Sequence, residues 1–237
     1  MIFNLLLFIF CLFFSSDTFS KVDYPRLCAP YYSQCGQDKY VHEVLFRKNK
    51  RYGFFFDIGA HDGMSYSNTY FFEKEMEWAG ICVEPHPEIF KELKKNRCCI
   101  CMQGCIFDKE GEFDFAKVNG CPEMLSGLTD TFDDAHQKRV VDEIKTRGGS
   151  QEIVRVKCFK FNNICAQYGI KHIDFLSVDT EGSEESIIKS IDFNKIDIDV
   201  IAVENNNNDK KIMQHLNQKG YKRIASKGGD DIYRKKK

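Results

Sequence analysis

A chain of 237 residues, 43% of them hydrophobic, can bury one sizeable core, which excludes disorder on a domain scale. Its 34 basic and 35 acidic residues nearly cancel, so no overall field draws it to nucleic acid. The dense basic runs, residues 47–51 and 234–237, are local; they read as a solvated helix end and a solvated terminus, with contact to an anionic surface as the alternative.

In chain order, residues 1–20 carry an apolar run over 5–14 followed by small and polar residues, the pattern of a secretory signal peptide. No Lys or Arg precedes Leu5, so an uncleaved signal anchor stands beside that reading, and with it membrane association. Either points to the secretory pathway, secreted, lumenal or anchored. From Tyr31 the spacing of Val41, Val44 and Leu45 predicts one helix face. Phe54 to Ile58 reads as a buried strand, residues 68–78 as a helix, and "GICVE" as a second strand closing at Glu84. Pro87 opens a helix to about Asn96. Residues 98–107 form one short apolar segment, and "GEFDFAKV" an exposed hairpin strand.

Residues 119–150 turn polar around a helix predicted over 133–146 with a Gly148-Gly149 stop, as an insertion or lid over a site would. The alternation then resumes: strand "IVRVKCF", helix 162–168, strand to Asp179, helix 184–190, strand to Glu204, and a closing helix, strand, Gly228-Gly229 turn and strand. The four asparagines 205–208 read as a loop. Strands alternating with helices predict an α/β fold with a mainly parallel sheet covered on both faces, and an antiparallel strand at its edge.

Ten cysteines follow the leader, and in an oxidising compartment Cys28 with Cys35, or Cys121 with one of Cys98, Cys99, Cys101 and Cys105, are the pairs to examine. The same cluster offers a single CxxC spacing, which fits plain core residues better than zinc.

Ligands of open α/β sheets sit at the carboxyl ends of the strands. Four acids, Asp57, Glu84, Asp179 and Glu204, close predicted strands there. The turn "DIGAHDG" lacks the third glycine of a dinucleotide fingerprint and the lysine of a P-loop. It suits a ligand with an amino acid part and a sugar but no pyrophosphate, and a carboxylate at Glu84 can accept both ribose hydroxyls. That combination describes S-adenosylmethionine, with NAD as the alternative.

The motifs "SQCGQD" (33–38), "FFFDIGAHDGMSYSNTYFFE" (54–73), "GICVEPHPEIFKEL" (80–93) and "IDFLSVDTEGSEESIIKSI" (173–191) together resemble the FkbM family of S-adenosylmethionine-dependent methyltransferases. The first and the "SNT…FFE" piece also resemble its Star-like subgroup, whose animal members are membrane-associated trafficking proteins. The resemblance implies a seven-stranded Rossmann-like sheet of the class I methyltransferase type within residues 31–234. It implies Asp57, Gly59, Ala60 and Gly63 along the methionine part of the cofactor, Glu84 on the ribose, and Ile106, Phe107 and Asp108 beside the adenine. Gln37 and Asp38 would close the site or cap a helix.

The activity implied is methylation of a hydroxyl on a glycan or small molecule; the competing reading is a non-catalytic Star-like protein that keeps the fold. For the base, Asp179 is the first candidate, with Glu181 and His61 as others; His86 and Glu184 are nearby. A minority alternative, by similarity to catechol-type O-methyltransferases, is a divalent cation held by Asp179, Glu204 and Asn205.

Overall fold

The computed structural model describes residues 31–206 and 208–236. The leader and Cys28 lie outside the described residues, and so do the expectations attached to them. Among the described residues no helix is long and apolar enough to cross a membrane.

The strands are β1 (Phe54–Ile58), β2 (Ala79–Glu84), β3 (Ile100–Gln103), β4 (Cys105–Ile106), β5 (Gly111–Asn119), β6 (Gly127–Leu128), β7 (Ser150–Phe159), β8 (His172–Val178), β9 (Asp197–Glu204), β10 (Tyr221–Lys227) and β11 (Asp230–Lys235). Between them run α1 (Gln37–Tyr40), α2 (Tyr70–Met76), α3 (Pro87–Asn96), α4 (Asp134–Arg147), α5 (Phe161–Gln167), α6 (Glu184–Ser190) and α7 (Lys210–Gln218). Seven strands form the main sheet in the order β10-β11-β9-β8-β1-β2-β3, parallel except for β11, which runs against both β9 and β10. This is the class I methyltransferase architecture expected above. The order reverses beside β1, so the gap between β1 and β8 is the topological switch point.

The period of two along each strand divides the core between two faces. Phe56, Ile58, Val83, Leu176, Val178 and Ile201 meet Phe161 of α5, Ile187 of α6 and Leu216 of α7. On the opposite face Phe55, Cys82, Phe175 and Val200 meet Phe71 and Phe72 of α2, Leu93 of α3, and Val41 and Leu45.

Three expectations need correction. Val44 is exposed, because residues 41–45 wind as a wider π-type turn, with Phe46 N–H reaching Val41 O at 2.9 Å, and Val41, His42 and Leu45 take the buried side. Residues 98–107 split at Gly104 into β3 of the main sheet and β4 of a second one. Gly104 has φ +143°, and a Cβ there would lie 2.5 Å from Lys157 O. Finally, "GEFDFAKV" and "IVRVKCF" are partners, β5 and β7, paired antiparallel from Gly111↔Cys158 to Asn119↔Ser150 in a four-stranded sheet ordered β4-β7-β5-β6. That sheet has its own core of Phe107, Phe115, Leu128 and Val156.

The polar segment 119–150 carries short turns at Glu123–Leu125 and Thr129–Thr131, strand β6 and helix α4. Asp133 caps α4 by accepting His136 N–H at 2.7 Å, and Gly148 at φ 76° ends it.

Candidate active site

A cleft opens at the carboxyl ends of β1, β2 and β8, with residues 123–128 forming its other wall. Its floor is the turn after β1. Gly59 has φ +82°, and a Cβ on it would sit 1.7 Å from Asp179 O, so only glycine lets β1 and β8 close side by side. The N–H groups of Gly59 and Ala60 both reach Val83 O at 3.0 Å, which locks the turn to β2. Beyond it, Glu84 is buried and held by backbone: Oε2 accepts His61 N–H at 3.0 Å and Oε1 accepts His86 N–H at 2.8 Å. Each oxygen keeps further acceptor capacity at the cleft wall. Burial pushes the Glu84 carboxyl up to about 7 against the pull of those two N–H groups.

Of the residues expected along the cofactor, Gly59 and Glu84 line the cleft, whereas Asp57, Ala60 and Gly63 lie behind its wall. Asp57 is buried, accepts Thr69 Oγ1–H at 2.6 Å, and supports the turn from below. Gly63 is needed for packing: a Cβ would meet Leu93 Cδ1 at 2.5 Å and Arg97 Cγ at 2.6 Å. Arg97, which no sequence signal singled out, ties these parts together. Its guanidinium donates to Glu73 Oε2 (2.5 Å), Gly63 O (3.0 Å) and Thr69 Oγ1 (3.0 Å), and the Thr69 hydroxyl goes on to Asp57.

Gln37 is not on the cleft wall. Its amide is spent on Cys35 N–H (2.9 Å), Asp230 Oδ2 (3.0 Å) and Lys227 O (3.3 Å), fastening the start of the domain to the β10–β11 turn. Asp38 folds the same segment by accepting Tyr32 N–H at 2.6 Å and Ser33 N–H at 3.2 Å. Phe107 faces the second sheet's core, its ring centroid 5.5 Å from that of Phe113, and Asp108 lies off the wall too; of the three residues expected beside the adenine only Ile106 lines the cleft, next to Cys105 and Phe115.

Across the cleft, carboxylate oxygens of Asp179, Glu181 and Glu204 lie within 4.8 Å of one another. Desolvation, with Glu204 and Asp230 close by, raises Asp179 well above the usual carboxylate range. Burial, reinforced by Asp179 for Glu181 and by Glu181 for Glu204, lifts those two to about 8 each. Asn205 does not join them: its amide N–H groups go to Asp209 O and Asp231 Oδ2, both at 3.0 Å, and its oxygen accepts Asp209 N–H. Glu184 is buried but structural, accepting N–H groups of Thr180 and Gly182 to shape the turn before α6. His61 stands on the wall with Nε2 3.3 Å from Glu123 Oε1. His86 caps α3, and its Nε2 meets Val118 O at 3.1 Å. The sequence reading also missed His136 and Arg139 of α4, whose nitrogens stand 3.6 and 3.8 Å from Glu181 Oε2.

Three carboxyls raised in the folded state have a thermodynamic signature. Glu84, Glu181 and Glu204 titrate at about 7, 8 and 8 in the fold, against an ordinary value of 4.5. Between those limits the folded chain holds more protons than the unfolded one, so stability falls as pH rises through that window. The melting temperature of the free protein is therefore expected to drop between pH 5 and pH 8.5. A melting curve that rises over that range would refute the acid cluster as drawn.

No curated protein matches this chain. Among solved structures it is similar to precorrin-6y C5,15-methyltransferase from Geobacter metallireducens, at TM-score 0.40 and 12% identity over 83% of this chain and 84% of that one. It is also similar to the METTL16 MTase domain, at TM-score 0.42 and 12% identity over 83% of this chain and 64% of that one. Methyltransferase FkbM from Methylobacillus flagellatus gives TM-score 0.45 and 12% identity; 83% of this chain is covered, but only 50% of that one, so the chain spans half its length. Residues 57–223, well over half of the sequence, match the Methyltransferase FkbM domain, with both strand-end acids of the cleft, Glu84 and Asp179, inside the match; the chain belongs to that family of methyltransferases.

Proposed function

We propose that the protein moves a methyl group from S-adenosylmethionine to a hydroxyl on a glycan or small molecule. The observation that carries this reading is one cleft in which Glu84, with free acceptor capacity on both oxygens, faces Asp179 and Glu181. The residues fit the cofactor: Glu84 would accept the ribose hydroxyls, the Cβ-less Gly59 turn would let the methionine part lie against backbone, and Ile106 with Phe115 would flank the adenine. When bound, the cofactor supplies an electrophilic methyl on a sulfonium. The chain's own part is to orient the acceptor hydroxyl in line and to take its proton, at Asp179 first, with Glu181 and His61 on the same wall.

Asn205 is turned away, so a cation here would rest on the three carboxylates of Asp179, Glu181 and Glu204 without the amide ligand of the catechol-type arrangement, and we take the cluster to act as an acid–base group. Turnover is expected to be unchanged by a chelator such as EDTA, and a loss restored by magnesium would overturn that statement.

Calorimetric titration of the full chain with S-adenosylmethionine tests the reading. Saturable binding is expected, weakened about 100-fold in Glu84→Ala, the loss expected for two hydrogen bonds to a charged acceptor. Folded protein that binds nothing would favour a Star-like, non-catalytic role.

A further inference from the structure

Two sulfurs lie together beneath the turn after β1. Cys82, fully buried in β2, has its Sγ 3.5 Å from Sγ of Cys99, which is half-buried where the chain leaves Arg97 for the edge strand β3. Cys101 is the register neighbour of Cys82 on β3, and its Sγ is 3.6 Å from Cys99 O. The described cysteines are all free thiols, so the expected pairing of Cys121 with this group is not formed. Contact with a second sulfur, partial exposure and a buried guanidinium nearby are together the setting of a reactive cysteine.

We propose that Cys99 is an oxidation site for a hydroperoxide and that Cys82 is its resolving partner, the product being a reversible Cys82–Cys99 disulfide. The site is separate from the methyl-transfer cleft and does not depend on that reading. The neighbouring Cys101 and Cys82 thiols, with the Arg97 charge behind them, draw the Cys99 thiol well below its ordinary range, whereas burial keeps Cys82 well above its own. The Cys99 sulfur attacks the peroxide; an S–O bond forms, the O–O bond breaks, and hydroxide leaves to take up the proton Cys99 has lost. The Cys82 thiol then attacks the sulfenic sulfur; the S–S bond forms, the S–O bond breaks, and the oxygen departs with the Cys82 proton as water. Two thiols are oxidised and one hydrogen peroxide is reduced to two waters.

A disulfide needs the sulfurs at about 2.05 Å. Closing the remaining gap is feasible because β3 is an edge strand, paired only with β2. The test treats the full chain with equimolar hydrogen peroxide, blocks remaining thiols under denaturing conditions, and maps the peptides. A Cys82–Cys99 link is expected, reversed by dithiothreitol, absent in Cys99→Ser and kept in Cys101→Ser. In Cys82→Ala the sulfenic acid should persist at Cys99 and take up dimedone. The proposal is overturned if both sulfurs stay alkylatable after peroxide, or if Cys99 in folded Cys82→Ala gains no dimedone adduct.

Discussion

Arg97→Ala is expected to lower the stability of the protein by about 3–5 kcal/mol, the cost of leaving a buried partner charge without its counter-ion. The side chain is fully enclosed and Glu73 nearly so. Removing the guanidinium also strands Gly63 O and the Thr69 hydroxyl that supports Asp57. For a chain of this length the melting temperature should fall by on the order of 10 °C. Arg97→Lys keeps the charge but not the planar fork that spans three acceptors, so it should recover only part of the loss. Full stability in Arg97→Ala would mean that the turn stands without its support.

Asp179→Asn carries the other large effect. With the proposed acceptor it should reduce turnover by about 10²–10⁴-fold, the range for losing a positioned base, while cofactor affinity changes by only a few-fold. The same variant removes the raised Asp179 carboxyl itself and its like charge beside Glu181, which should then titrate nearer its ordinary range, whereas Glu204 loses a hydrogen bond that holds it down. The alkaline loss of stability described above should then shrink. Steady-state kinetics beside thermal melts at several pH values separate the two roles. Unchanged turnover with a flattened melting profile would move the base to Glu181.

The positions of Gly59, Glu84 and Asp179 were legible in the sequence because each closes an apolar run, and strand ends in a parallel sheet share one rim. The seven-stranded fold followed from the same alternation. What stayed hidden depended on contacts distant in sequence. Arg97 precedes a run of cysteines and looks like any helix-end cation, yet its partners lie on α2 and the β1 turn. Strands β5 and β7 read as separate elements because 30 residues intervene, among them α4, and nothing local says that they pair with each other. Ile106 ends β4 on the cleft wall and Phe107, just past it, enters the second sheet's core, a division set by pairing with β7. His136 and Arg139 reach Glu181 through the folding of the 119–150 segment, which composition alone does not aim.

The fastening of Gln37 to Lys227 and Asp230 also bears on where the domain can be cut. The family match stops at residue 223, inside β10, whereas β11 sits between β9 and β10 in the sheet. A fragment trimmed to the matched span would lose an interior strand and both ends of the Gln37 clasp. The cooperative unit therefore reaches past the recognisable homology on both sides. Its autonomy rests on stretches that a similarity search leaves out.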